Sequence, residues 1–505
     1  MNQDKAAYQK IMKAISIFGG AQFFQILIAM IRSKFISVLL GPAGIGIAAL
    51  LQAGTGLIAG LTSFGLSTSV IKNISAAQAE GDDEKVGRVI AVFRSLVWTT
   101  GLLGFLVTLG LSSYLSQITF GNKDYTWAFA VLSITLLVNQ ISAGQSVLLR
   151  ATRQVKLMAK SSMVGSLLGL LTTIPLYYIF GLHGIVPALL ISAFTSLFLS
   201  WFFASKSSFK NIKVDFSTVK LEGKEMLIMG FVISISGIIT IAFSYLVRIF
   251  ISNYGSIYDV GLYSAGFAIV NTYVGMIFTA IASDYYPKLS EVAHDVDKMN
   301  KTINQQAEIS ILILSPAILI FIVFIKRVIF LMYSEAFLPV NQMILFAMAG
   351  ILFKALSYVI SFVFLVKSTS KIFFWNELIS NIYMLVLNIA GYYFYGLNGL
   401  GVSFLLTYIL YAFQVYLVSK SLFKFKLDSE LVEIFFVNLF LTVICLAVSF
   451  LVKQNFLIYL IGSILIVGSA IYNFYKIDKR IGLCSKILSL KKVKEKQKSS
   501  WFGKL

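Results

Sequence analysis

The chain has 505 residues, of which 58% are hydrophobic, 14% aromatic and only 13% charged, with a mean hydropathy of +0.85 and a formal net charge of +20. A soluble globular chain carries about 25% charged residues, so this composition leaves no room for a soluble catalytic domain and places most of the sequence in hydrocarbon. Two histidines (His183, His294), two cysteines (Cys445, Cys484) and the lack of HExxH, CxxC, Walker-type lysine loop or strand-linked GxGxxG argue against metal, thiol and nucleotide chemistry, so no cofactor is expected.

In chain order, a window of about 19 residues predicts fourteen apolar spans, at 14–40, 43–71, 89–115, 126–149, 157–180, 184–204, 226–252, 260–286, 305–331, 341–366, 372–395, 398–419, 431–452 and 455–475. Lys5, Lys10 and Lys13 precede the first span, which is far longer than a signal h-region and has no small-residue cleavage site after it; it is expected to stay in the protein. Lys and Arg of short loops collect on the cytoplasmic side. With the amino terminus inside, the cytoplasmic segments hold 34 of the 42 basic residues. The outer loops hold Lys123, Lys326, Arg327 and Lys453, and Arg32, Lys34, Arg248 and Lys354 fall within spans. A miscounted helix would invert this bias downstream, and no inversion occurs. The net charge is therefore read as a topology signal for a multi-pass membrane protein with both termini cytoplasmic, and not as a nucleic-acid footprint. From Lys476 onward, Ile477, Ile481, Cys484 and Leu488 recur at helical spacing among lysines, which suits either a helix on an anionic leaflet or a solvated basic tail.

An internal repeat organises the spans. Tyr177-Tyr178-Ile179-Phe180-Gly181-Leu182-His183-Gly184-Ile185 returns in the second half as Tyr392-Tyr393-Phe394-Tyr395-Gly396-Leu397-Asn398-Gly399-Leu400, with five of nine positions identical. The same offset superposes Gly46 on Gly261, Ser75 on Ser290, Ser146 on Ser361 and Lys156 on Lys371, and an offset larger by one brings Arg32 onto Arg248. One register shared by several helices points to two copies of a six-helix unit. Six is even, so both copies enter and leave on one face and their symmetry axis runs along the membrane normal, a transporter arrangement with a substrate path between two rocking bundles. The expected fold is an all-α integral membrane protein of about 14 transmembrane helices. It comprises a bundle over 1–215, a second over 216–426 related by a pseudo-twofold, accessory helices over 427–476 and a basic cytoplasmic tail over 477–505.

Four segments carry a family resemblance. Arg32-Ser33-Lys34-Phe35-Ile36-Ser37-Val38-Leu39-Leu40-Gly41-Pro42-Ala43-Gly44-Ile45-Gly46 resembles the end of the first helix in polysaccharide flippases of the multidrug, oligosaccharidyl-lipid and polysaccharide exporter superfamily. Phe64-Gly65-Leu66, followed by Ile74-Ser75 and Glu80-Gly81-Asp82, resembles the end of that family's second helix and the loop after it. Val260-Gly261-Leu262-Tyr263-Ser264-Ala265 and Tyr286-Pro287-Lys288-Leu289-Ser290-Glu291 resemble its eighth helix. The resemblance spans roughly residues 10 to 425 and is nearest to bacterial O-antigen translocases. It implies a flippase that moves an undecaprenyl-diphosphate-linked oligosaccharide to the outer leaflet, among membrane lipids and other polysaccharide-assembly proteins, with no covalent chemistry. It also implies a substrate arginine at the position of Arg32.

The residues offer their own reason for an anionic cargo. A charge in mid-membrane costs about 2.5–3.5 kcal/mol on insertion scales, so it faces a cavity or a partner. Arg32, Arg248 and Lys354 are such charges, and every acidic group of the first 204 residues (Asp4, Glu80, Asp82, Asp83, Glu84, Asp124) lies outside the spans. A diphosphate suits unpaired arginines through paired hydrogen bonds. Gln22, Gln25, Gln52, Asn139, Gln145 and Asn271 are candidates for sugar hydroxyls, as are Gln140 and Asn388, against the plainer reading of each as an interhelical contact. Arg248 could instead snorkel to headgroups. Lys34, about 200° around the helix from Arg32, is expected at the interface. Glu377, Asp284 and Glu308 are expected to pair near cytoplasmic ends.

Three rivals stand beside this reading. They are a lipid II flippase, a cation-coupled multidrug exporter of the same superfamily, which would be expected to carry an embedded carboxylate in the first half, and a polytopic glycosyltransferase or polysaccharide polymerase. The last would need a catalytic cluster in a sizeable outer loop, and the outer loops here are short.

Overall fold

The computed structural model describes residues 2–152, 154–206, 212, 214–367 and 370–481, and among them every regular element is helical. The α-helices are α1 (Asn2–Thr62), α2 (Leu66–Ala79), α3 (Asp83–Gly110), α4 (Ser112–Phe120), α5 (Thr126–Ala151), α6 (Val155–Phe180), α7 (Ile185–Ala204), α8 (Phe216–Phe250), α9 (Ile257–Ala268), α10 (Gly275–Val292), α11 (Val296–Met332), α12 (Asn341–Val366), α13 (Ser370–Phe423), α14 (Ser429–Leu451) and α15 (Asn455–Ile481). Among the described residues, eleven stretches are long and apolar enough to cross a membrane. Three of them, Phe24–Thr62, Lys156–Ala204 and Lys371–Phe423, are doubled by an internal break, which gives the fourteen crossings read from hydropathy.

Glycine makes those breaks. Gly41 (φ 62°, ψ −171°) stands before Pro42, Gly181 (φ 54°, ψ −129°) ends α6, and Gly396 (φ 56°, ψ −140°) bends α13. A side chain resists this left-handed region, so the turns are written in the sequence as glycine. Gly181 and Gly396 are counterparts in the internal repeat, and they take nearly the same two angles. Each half also starts a long helix with the same cap. Asp82 accepts hydrogen bonds from the backbone N–H groups of Glu84 and Lys85 at 2.9 Å, and Asp295 from those of Asp297 and Lys298 at 3.1 Å.

The chain forms two compact units, Met1–Ala265 with Ile329–Pro339, and Gly266–Val328 with Val340–Leu505. In the first, Leu66, Val70, Ile74, Val92, Phe93 and Leu148 are buried where α2, α3 and α5 meet Met226 of α8. Between α1 and α2 the helix breaks at Phe64 (φ 47°) and Gly65 (φ 59°), and that break lies backbone to backbone against α8. A Cβ on Gly65 would stand 2.1 Å from the carbonyl oxygen of Gly230, and one on Gly230 would stand 2.4 Å from that of Phe64. Nearby, a Cβ on Gly46 would stand 2.1 Å from the Ile257 carbonyl oxygen, and one on Gly261 1.8 Å from that of Pro42.

In the second unit, α12 buries Met343, Ile344, Ile351, Leu352, Val359 and Ile360, with α13 packed on it so closely that a Cβ on Gly401 would stand 2.3 Å from the Met343 carbonyl oxygen. Helices α14 and α15 are joined by the Asn473 amide donating to Asn438 Oδ1 at 3.1 Å. Arg480 closes this pair onto α11, with Nη2 3.0 Å from Glu308 and 2.6 Å from Glu430. The expected basic tail begins as the last turn of α15. Residues 482–505, with Cys484 and Leu488, lie outside the described residues.

Candidate functional site

The first unit holds both candidate arginines, each on a helix that its own sequence builds as an apolar crossing. Arg32 of α1 is half-buried and reaches the Tyr177 hydroxyl of α6, and its Nη1 is 3.9 Å from where a Cβ on Gly169 would stand. The missing side chain at Gly169 leaves the guanidinium room. Arg248, in the last turn of α8, donates from Nη1 to the Ser244 carbonyl oxygen at 3.0 Å and to Ser244 Oγ at 2.5 Å, and its Cζ lies 5.7 Å from the centre of the buried Tyr263 ring. The Nε of each arginine is buried without a hydrogen-bond partner. Among the described residues neither arginine forms an ion pair, so each retains hydrogen-bonding capacity and an uncompensated charge.

The uncharged candidates of this unit are more dispersed. Gln25 lies two helical turns before Arg32, on nearly the same face of α1; it is half-buried, whereas Gln22 and Gln52 are exposed. On α5, Asn139 is exposed and Gln145 half-buried. Their neighbour Gln140 is an interhelical contact, donating to Thr100 Oγ1 of α3 at 3.0 Å. A cavity of about 650 Å³ opens at the α2–α3 turn beside the start of α8, lined by Asn73, Asp82, Lys85, Arg88, Glu222 and Glu225 among others. None of the candidate residues lines it. Its wall includes the ion pair from Arg88 Nη2 to Glu222 at 2.5 Å.

The second unit holds the remaining three candidates, Lys354, Asn271 and Asn388, and brings the first two together. Lys354 of α12 donates to Asn271 Oδ1 at 3.3 Å, and its Nζ lies 5.2–5.8 Å from the ring centres of Tyr408, Phe278 and Phe404. Asn271 is carried on a π-helical turn, Ile269–Val274, which separates α9 from α10 and leaves Asn271 and Thr272 exposed. Such turns interrupt a helix ladder and are frequent at functional sites. Three ring faces and one amide oxygen accept the ammonium electrostatically without neutralising it. Asn388 is bonded within its own helix, to the Met384 carbonyl oxygen at 2.8 Å.

Two polar features have roles that the sequence did not specify. Lys34 caps carbonyl oxygens at the end of α11, donating to Phe330 and Tyr333 at 2.5 Å each. Glu377 of α13 accepts from the Tyr411 hydroxyl at 2.7 Å, beside Asn376, which Gln414 holds at 2.7 Å. Asp284 pairs with Lys288 one turn along its helix, and Glu308 with Arg480 of α15.

The sequence matches the family described as "Polysaccharide biosynthesis protein" over residues 35–342. It is 25% identical over 325 residues to a Shigella flexneri protein named "Putative O-antigen transporter", covering 63% of this chain and 75% of that one. It is 22% identical over 395 residues to the lipid III flippase of Escherichia coli (strain K12), covering 76% of this chain and 91% of the relative. In fold it is similar to the lipid II flippase MurJ in an inward closed conformation, with a TM-score of 0.71 at 13% identity over 92% of this chain and 99% of the other. A multidrug resistance MATE family transporter of the MOP superfamily, in an inward-facing conformation, superposes with a TM-score of 0.63 at 17% identity over 81% of this chain and 98% of the other. At these identities the two structures speak for the fold alone.

Proposed function

This chain belongs to the polysaccharide biosynthesis protein family, and from that membership we propose that it is a flippase for undecaprenyl-diphosphate-linked oligosaccharide, an O-antigen or similar repeat unit. It works in the bacterial cytoplasmic membrane, with both termini on the cytoplasmic side. The observation that carries the cargo's charge is the pair of arginines, Arg32 and Arg248, each in a membrane-spanning helix, each with a buried Nε lacking a partner, and neither ion-paired among the described residues. A diphosphate supplies the missing counter-charge through charge-assisted hydrogen bonds. Lys354 with Asn271, and the exposed amides Gln22, Gln52 and Asn139 with the half-buried Gln25 and Gln145, offer donors and acceptors to the glycan. The polyprenyl tail stays in lipid while the headgroup crosses by alternating access, so translocation needs no bond to be made or broken. The names of two relatives, an O-antigen transporter and a lipid III flippase, agree with this cargo class.

Deletion of the gene, followed by mass spectrometry of polyprenyl-diphosphate-linked oligosaccharides and measurement of surface polysaccharide, tests the reading. Complete repeat units should accumulate while surface polysaccharide is lost, with polymerisation and ligation intact. An unchanged lipid-linked pool with raised drug sensitivity would instead select a drug exporter, and truncated units a glycosyltransferase.

A further inference from the structure

Lys34 is an ionised side chain whose hydrogen-bond partners are neutral. Its Nζ donates to the carbonyl oxygens of Phe330 and Tyr333, both at 2.5 Å, and lies 4.6 Å from the centre of the Phe330 ring. Those carbonyls end α11, where unsatisfied C=O groups and the helix dipole present about half a negative charge. The segment Ile329–Pro339 is held in the first unit by further bonds between neutral groups. Tyr258 donates to the Ala336 carbonyl oxygen at 3.0 Å, and Tyr333 to that of Ala265 at 3.2 Å. Lys34 therefore grips this segment, on the face that the basic-residue bias assigns to the outside. Arg32, about 200° around the same helix, turns to Tyr177 instead.

We propose that Lys34 is a cargo-responsive latch: its ammonium holds the end of α11 in the resting state and, facing away from Arg32, exchanges the two carbonyls for the diphosphate of the lipid-linked cargo only after that group has left the arginine, freeing residues 329–339. The exchange is downhill in kind. The present bonds are charge-assisted on the donor side alone, whereas a phosphate oxygen carries formal charge as well, so Coulomb attraction between whole charges adds to the hydrogen bond. The lysine gives up partial charges for whole ones, and the helix end loses its cap at the same moment, so occupancy and opening are one event. A permanently paired lysine could not act this way, because a carboxylate partner would compete with the diphosphate on equal terms. The release step rests on the lipid-diphosphate reading above; the latch itself does not.

The test is hydrogen-exchange mass spectrometry of the full chain in lipid nanodiscs, following the amides of residues 329–339. Three disc types are compared, without addition, with undecaprenyl monophosphate and with undecaprenyl diphosphate. Lys34→Met is expected to speed exchange in this segment about tenfold with α12 and α13 unaffected, whereas Lys34→Arg keeps the segment protected. Undecaprenyl diphosphate is expected to speed wild-type exchange more than the monophosphate does, and to have no further effect in Lys34→Met. Tyr258→Phe, which removes a neutral bond only, should leave the lipid response in place. Unchanged exchange in Lys34→Met overturns the latch. A wild type that ignores the diphosphate, or a Lys34→Met protein that still responds to it, overturns the release step. The function reading fails separately, on an unchanged lipid-linked pool in the deletion strain.

Discussion

Gly46 and Gly261, counterparts in the internal repeat, pack against each other, and they do so reciprocally. A Cβ on either would stand 3.1 Å from the backbone nitrogen of the other, and the carbonyls that crowd them belong to Ile257 and Pro42, which are repeat counterparts as well. Residue i touches j and j's counterpart touches i's, the signature of contact across a twofold axis. The repeat read from aligned letters is thus realised as a local symmetric contact between α1 and α9. Gly46→Ala and Gly261→Ala should each destabilise the protein by about 1–3 kcal/mol, the usual cost of overpacking. Because both press on one contact, the double variant should fall short of the sum. Thermal unfolding followed by size-exclusion chromatography would show this against Gly110→Ala, where nothing lies within 4 Å of the added methyl.

Arg32→Ala and Arg248→Ala are each expected to lower export about tenfold or more without changing the amount of protein in the membrane, as loss of a charge-assisted contact to the cargo requires. Lysine at either site should rescue only in part, since it cannot offer two parallel donors. Ser244→Ala should have a smaller effect than Arg248→Ala, because it removes a bond that orients the guanidinium and leaves the charge. The readout is surface polysaccharide in a complemented deletion strain; full activity in the Arg32→Ala, Arg248→Ala double variant would remove the diphosphate assignment.

Arg480 has two carboxylate partners of unequal burial, with Glu308 3% exposed and Glu430 35% exposed. Replacing Arg480 by Ala leaves the Glu308 carboxylate buried without its cation, a loss of up to about 3 kcal/mol after discounting for the half-exposed arginine. Glu430→Ala should cost less than about 1 kcal/mol. If the two variants unfold at the same temperature, the Glu308 pair does not anchor α15.

Asp295 caps α11 outside the membrane-spanning stretch, and the Lys298 backbone N–H, followed by the Lys298 side chain, holds its carboxyl below the usual value of 3.8. A depressed folded-state pKa contributes stability above about pH 4, lost as the pH falls through the lower folded value. Protection of the first turn of α11 in hydrogen exchange should therefore be level from pH 7 to pH 5 and decline only in stronger acid. Asp295→Asn keeps a capping oxygen and should abolish that acid dependence with little loss of protection at neutral pH. The equivalent Asp82→Ala should cost about 1 kcal/mol at the start of α3.

The crossings were legible because hydrocarbon imposes length and apolarity, and charge bias checks their number. Gly41, Gly181 and Gly396 mark breaks at the places where the spans were separated. Other features were not legible, for physical reasons. Hydropathy does not show the Phe64-Gly65 break, since a left-handed turn between two apolar helices changes no hydropathy; only the family resemblance marks a helix end there. The π turn at Asn271 is likewise silent, because it alters the hydrogen-bond ladder and not the composition. The charges in the spans could be found by eye, yet their partners could not. Lys34 reads as interfacial until the end of α11, far along the chain, is placed against it, and Glu377 reads as a loop-pairing carboxylate until Tyr411 meets it. The aromatic surroundings of Lys354 come from α10 and α13, which no local spacing ties to α12.

The composition of the first unit also sets an order of events during synthesis. Part of that unit is supplied by residues 329–339, which leave the ribosome after α8, α9, α10 and nearly all of α11. The amino-terminal helices can insert as they emerge, but the contacts of Lys34 with Phe330 and Tyr333 cannot form until about two-thirds of the chain exists. Until then Lys34 sits in the bilayer with its charge uncapped, and the nascent chain is at its most vulnerable to misassembly and proteolysis. A truncation ending before residue 329 should accordingly be degraded faster than one ending after 339, although both contain every helix that begins in the first half.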